Sequence, residues 1–298
     1  MKPNIARSLP VTLLLLSSVM WGLTWWPLKQ FNAAGIEGVP LILFSYGIVG
    51  AALSFLLLRE WHRWHGRLHF LLLFFILGGY ANLAFASAMI YGDVVRAMML
   101  FYLGPVWGVI GGWVFLGERI DRQRWAGVLL AMAGAWLILG GAALFDSAPS
   151  ALDLLALSAG IAFALNNITF RATHTHPTGS KIAAMFLGCG IFAALLFPLQ
   201  GHHVPQLAAP VWAALGLFGL VWLLGATIAT QWAVTQMEAG RASILLITEL
   251  LVAVLSATLI GGESLSAAEM LGGALILTST ILEAWRQEPD PHDFAKPA

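Results

Sequence analysis

The chain repeats itself. At a constant offset of 145 residues, Arg96-Ala97 matches Arg241-Ala242, Gly117-Glu118 matches Gly262-Glu263, Asp93 matches Glu238, and Gly127 matches Gly272. The two copies run over residues 5–146 and 151–286, and each reads as five apolar segments. An odd number of spans per copy forces the second to enter a bilayer upside down relative to the first. Inverted repeats of this kind belong to alternating-access carriers, with a solute site near the midplane where the repeats meet. The pattern implies moving a solute rather than transforming one.

Composition decides between a membrane and water. The chain is 59% hydrophobic and 10% charged, against about 25% charged in a soluble domain. Ten segments approach the roughly 20 residues that a spanning helix needs: about 9–29, 39–58, 68–91, 94–116, 125–145, 151–171, 181–200, 210–236, 242–260 and 267–285. In lipid only helices or a closed barrel satisfy the backbone, and continuous rather than alternating apolar runs select helices. The expected fold is therefore all-α, with ten transmembrane helices as two inverted five-helix repeats. The first run lacks a small-residue cleavage site and reads as a retained helix. Residues 287–298 read as a disordered cytoplasmic tail.

Basic residues set the orientation. With the N-terminus inside, Lys29 and Arg96 are the only outer members of the 15 lysines and arginines. Trp61, Trp64, Trp125 and Trp285 flank the basic loops, as interfacial anchors do. A formal net charge of zero gives no reason to expect a nucleic-acid partner, and the single cysteine, Cys189, excludes an intrachain disulfide. His62, His65, His69, His174 and His176 read as solvated loop residues rather than a metal site. No phosphate cradle or hydrolase motif is present, so no cofactor and no catalytic residue is expected.

The candidate chemistry lies inside the membrane. Glu249 sits in Ile247-Thr248-Glu249-Leu250-Leu251, and an ionisable group at such depth usually faces a cavity or a partner. It can bind an ammonium, couple a proton, or serve structurally through Thr248, Asn166 or open backbone. Trp21 and Trp25 share a face of the first span. Tyr80, Ala84, Ser87 and Tyr91 share a face of the third. Tyr102 stands just before Gly104-Pro105. Asn166 and Asn167 lie in the sixth span, and Thr227, Thr230 and Gln231 in the eighth. Pro105 removes a donor and kinks the fourth span; its counterpart is Leu250, and that of Gly104 is Glu249, so the copies differ there. Pro27 ends or bends the first span. Glu118 and Glu263 each follow a glycine at a turn, where a carboxylate can accept from the free N–H groups of the following helix.

The runs Leu116-Gly117-Glu118-Arg119-Ile120 and Gly262-Glu263-Ser264-Leu265, with Gly127 and Gly272-Gly273, resemble the two EamA domains of the drug/metabolite transporter superfamily. Met20-Trp21-Gly22-Leu23-Thr24-Trp25-Trp26-Pro27 is similar to bacterial aromatic amino-acid exporters of the YddG type. The resemblance implies a multi-pass inner-membrane exporter with both termini cytoplasmic and a central cavity lined by spans 1, 3, 4, 6, 8 and 9, with spans 5 and 10 peripheral. On this reading the substrate is an aromatic or other apolar amino acid, and the other partner is the bilayer; one chain, a monomer, supplies both repeats. Trp21, Trp25, Tyr80, Tyr102 and Phe163 would offer rings. Asn166, Thr227, Gln231 and Thr248 would hold the polar groups, and Glu249 would attract the ammonium. The alternatives are an exporter of purines or lipophilic cationic drugs, and a membrane-embedded enzyme or lipid-handling protein.

Overall fold

The computed structural model describes residues 5–92, 94–142, 148–199, 204–261 and 265–286. Glu263, Asp93 and the expected tail therefore lie outside the described residues. Among those described, all regular structure is helical. Nine helices are long and apolar enough to cross a membrane: α1 Leu9–Ala33, α2 Gly38–Arg59, α3 Leu68–Tyr91, α4 Arg96–Leu116, and, after a shorter α5, α6 Ala151–Ala172, α7 Thr178–Leu199, α8 Ala209–Gln236, α9 Ala239–Ile260 and α10 Ala267–Ala284. The fifth expected segment is the 17-residue helix α5, Arg122–Ile138. It is shorter than the sequence suggests because Leu139 closes it and a left-handed glycine, Gly140, follows.

The packing has the symmetry that the sequence implies. Equivalent helices pair with each other, α2 with α7 and α5 with α10, while α1 packs on α8 and α9 as α6 packs on α3 and α4. The α5–α10 crossing is reciprocal. A Cβ on Gly134 would stand 2.6 Å from the Gly272 carbonyl oxygen, and a Cβ on Gly272 would stand 2.6 Å from that of Gly134. Small residues here let the two backbones touch. One step along, the Ser279 hydroxyl donates to the Gly127 carbonyl at 2.7 Å. Gly127 and Gly272 are equivalent in the repeat, as are Gly134 and Ser279, so the two contacts exchange under one two-fold operation.

Irregular backbone also recurs at matched positions. One π-helical turn occupies Phe74–Gly78 in α3 and another Phe218–Leu223 in α8. A π-turn widens the helix and re-aims everything beyond it. Helix α4 breaks between Phe101 and Gly104, and α9 breaks at Ile247, the counterpart of Tyr102. The expected difference between the copies is thus one of chemistry and not of backbone path. In α4 the cause is local: the Pro105 ring displaces the carbonyl four residues earlier, that of Phe101. Gly160 of α6 lies against that carbonyl, where a Cβ would come within 2.8 Å. In α9 no proline is present, and the break occurs at the β-branched pair Ile247-Thr248, whose Thr248 hydroxyl is tied to Thr280 of α10 at 2.9 Å. Helix α1 breaks too, at Leu23-Thr24, four residues before Pro27, and then continues to Ala33. Pro27 therefore bends this span rather than ending it.

The end where α4 finishes is closed by charge. Arg124, 1% exposed, lies 2.5 Å from Glu238, 3.5 Å from Glu283 and 3.9 Å from Glu118. Glu118 does not cap the helix that follows it. Its oxygens accept the N–H groups of Ala239 (2.7 Å) and Gly240 (3.2 Å), at the start of α9 in the other repeat, while Asp121 caps α5 through the Arg124 N–H. Burial raises the Glu118 carboxyl above the usual carboxylate range, against the lowering by those two N–H groups and by Arg124. A carboxylate at a helix start complements the dipole; here the helix belongs to the opposite half of the chain. Trp64 is another departure from expectation. It is fully buried, donates to Ser180 at 2.8 Å and stacks near His176, so it packs α2 and α3 against α7 instead of anchoring in the interface. His176 is a half-exposed loop residue beside it, and partial burial with nearby positive charge lowers its pKa.

Candidate functional site: a cavity between the repeats

A cavity of about 640 Å³ lies between the repeats. It begins at the end where α4 starts, beside the exposed Asn32 and Glu37. It runs inward to the three backbone breaks, since Gly22, Thr24, Tyr102 and Glu249 all line it. The opposite end is the one held by Arg124. Helices α1, α3, α4, α6, α8 and α9 contribute to the wall, as the resemblance implies, and α5 and α10 do not. Helix α2 also lines it, through Leu41, Ser45 and Tyr46, and α7 adds Met185. The set of lining helices is therefore wider than expected, because the π-turns in α3 and α8 seat α2 and α7 close in: Gly188 of α7 lies against the Phe75 carbonyl and Gly219 of α8 against that of Ser45.

Two aromatic groups line the space. Trp21 and Trp25 come from either side of the α1 break. Their indole N–H groups are already engaged, Trp21 with Thr230 Oγ1 at 3.2 Å and Trp25 with Ser256 Oγ at 2.8 Å, which leaves ring faces for a ligand. Phe85, Phe101, Phe163 and Tyr102 form the second group. Phe101 is stacked on Phe85 at 4.1 Å between centroids, with Phe163 at 5.5 Å and Tyr102 at 5.7 Å. Such rings suit flat, partly apolar solutes.

Glu249 stands at the first turn of the second half of α9, where the positive helix end favours its charge. Its side chain faces the Tyr102 hydroxyl, so the two breaks meet through this pair. Gly22 lets α1 pass beside it: a Cβ there would stand 2.6 Å from the Glu249 carbonyl oxygen. The repeat counterpart of Glu249 is Gly104, where an added Cβ would meet nothing within 4 Å; it lines a small recess with Pro105, Ser243 and Glu249. Among the described residues, the carboxylates at the cavity wall are Glu249 and Glu37, and no lysine, arginine or histidine joins them.

Of the residues singled out from sequence, the structure brings Trp21, Trp25, Tyr102, Phe163, Thr227, Gln231 and Glu249 to the cavity. Three others lie elsewhere. The Tyr80 hydroxyl pairs with Ser158 at 2.7 Å and joins α3 to α6. Asn166, 1% exposed, points its amide at the Met185 sulfur. Thr248 bonds Thr280. Tyr46, Asn82 and Phe85 were missed. Asn82 accepts from the Tyr46 hydroxyl at 3.0 Å and donates to the Gly78 carbonyl at 2.8 Å. The signal for it was present, an amide deep in an apolar run, but the π-turn just before it sets which face of α3 meets the cavity. Among the described residues no cluster of His, Cys, Asp and Glu could hold a metal ion.

Inverted helical repeats, paired breaks at mid-helix and a cavity between the repeats define a membrane carrier. Residues 8–140 and 151–284 each match the EamA-like transporter family, and the chain belongs to that family. It is similar to an uncharacterized transporter of Archaeoglobus fulgidus, 26% identical over 68% of this chain and 72% of that protein. It is also similar to two uncharacterized transporters of Bacillus subtilis, YwfM (28% identical over 68% of each chain) and YoaV (24% identical over 90% of this chain and 94% of that one). A solved crystal structure shares the fold with a TM-score of 0.75, at 20% identity, over 94% of this chain and 99% of the other.

Proposed function

We propose that this transporter exports aromatic and other apolar amino acids across a bacterial inner membrane by alternating access. The observation that carries the reading is the cavity wall: indole rings whose polar atoms are already satisfied, beside one deep carboxylate, Glu249, that faces Tyr102. A zwitterion would place its ammonium at Glu249 and its side chain among Phe101, Phe163, Trp21 and Trp25. Its carboxylate would meet the starts of the broken half-helices, whose free N–H groups favour anions. The lysine and arginine distribution supports a cytoplasmic N-terminus and C-terminus. The cavity then opens outward, and the Arg124 cluster is the closed cytoplasmic side. Roles as a coupling site for protons and as an ammonium site remain compatible for Glu249, since both use an accessible carboxylate facing a cavity.

A second reading, export of lipophilic cationic drugs or purines, draws on the two carboxylates and the lack of basic residues among the described residues of the wall, because a cation over aromatic faces is attracted by them. Counterflow of labelled phenylalanine in proteoliposomes separates the two. Saturable counterflow competed best by aromatic amino acids supports the first reading; competition led by organic cations or purines replaces it with the second.

A further inference from the structure

Gln231 is an orphan in the wall of this cavity. Its side chain is 2% exposed, and its Nε2 donates to Asn167 Oδ1 at 3.2 Å, which fixes the orientation of the amide. Its Oε1 is buried with no hydrogen-bond partner. Gln231 shares a face of α8 with Thr227, both lining the cavity. A buried acceptor left unpaired costs free energy and calls for an explanation. None of the hydroxyl and amide groups that line the cavity donates to it.

Gln231 and Glu249 line the same cavity from different helices, α8 and α9. A solute whose ammonium meets Glu249 therefore has its remaining polar groups free to meet Gln231.

We propose that Gln231 Oε1 reads a hydrogen-bond donor on the substrate's side chain, an indole N–H or a phenol O–H, and so sets the preference for such rings over phenyl or aliphatic groups. This rests on the amino-acid reading above for the placement of the ammonium. Apolar rings still enter, but they leave Oε1 unpaired. A site built to accept from a donor discriminates strongly against the analogue that lacks it.

The test is competition against labelled phenylalanine counterflow by tryptophan and by 1-methyltryptophan, which removes only the ring donor. Tryptophan is expected to compete about tenfold better in the wild type. Gln231→Met, close in size and unbranched, is expected to bring that ratio near one, each competitor being read against the phenylalanine counterflow of the same variant. A ratio near one in the wild type, or a ratio that survives Gln231→Met, overturns the proposal. Should Gln231→Met fail to fold, Gln231→Asn, which withdraws the amide by one methylene, is expected to lose the same ratio, and its retention counts against the proposal. If the protein moves no amino acid, the function proposed above fails by itself. The donor reading is then decided by thermal stabilisation of detergent-purified protein with indole and 1-methylindole: a preference for indole that Gln231→Met abolishes sustains it, and equal stabilisation ends it.

Discussion

The broken middles of α4 and α9 stand at matched positions in the two repeats, yet one is made by its sequence and the other by its surroundings. Pro105 opens α4 by removing a donor and displacing the Phe101 carbonyl. Helix α9 opens at Ile247 with only β-branched residues there and with Thr248 held by Thr280. What differs is the group exposed at each opening: Gly104 beside empty space, Glu249 facing Tyr102. The lesson is that the symmetry of the fold places the breaks, and the sequence then distributes chemistry between them unequally.

This comparison can be tested at several strengths. The largest expected effect tests the crossing of α5 and α10. Gly134→Ala and Gly272→Ala each push a Cβ to 2.6 Å from the partner's carbonyl oxygen, so each should destabilise by about 1–3 kcal/mol in thermal unfolding. Wild-type stability of either variant would mean that the two backbones do not touch there. Next, Glu249→Gln should lower counterflow about tenfold or more, the scale of a hydrogen bond to a charged group, without loss of folded protein; unchanged flux would remove Glu249 from transport. A smaller effect is expected for Tyr80→Phe, which loses the Ser158 bond, about 1 kcal/mol of stability. Because Tyr80 lies outside the cavity, aromatic and aliphatic substrates should suffer equally, and a selective loss of aromatic ones would return it to the site. The smallest effect is expected for Pro105→Ala, a modest loss of flux as the break in α4 that this ring makes partly closes. Flux equal to that of wild type would mean that packing sustains the break in α4 as it does in α9, and that the contrast between the two is not one of cause.

Much of the fold was legible because a bilayer imposes simple rules. Span length, helical backbone and the segregation of lysine and arginine left little freedom. The shared Gly-Glu turns tied the halves together, and Trp21, Trp25 and Glu249 stood out because aromatic pairs and carboxylates at depth need a cavity or a partner. What was not legible came from backbone irregularity and distance. Neither π-turn contains a proline, and the one in α3 decides that Asn82 rather than Tyr80 faces the cavity. The role of Glu118 was misread because its N–H partners, Ala239 and Gly240, lie about 120 positions away in the chain. The nearest helix start was the natural local expectation, and Asp121 had already taken it. Trp64 followed the same logic: its position beside arginines matched an interfacial anchor, but Ser180 of another helix buried it.

The crossing of α5 and α10 has a consequence for how such a chain arises and assembles. Gly134 meets Gly272 while Gly127 meets Ser279, so each half presents the same patch to the other, as in an isologous dimer. A half-chain with this patch is self-complementary when one copy is inserted upside down. The covalent link between the halves is then a convenience of stoichiometry and not a requirement of the interface. Co-expressed as two separate polypeptides, residues 1–147 and 148–298 would have the means to find each other in the membrane through this face alone.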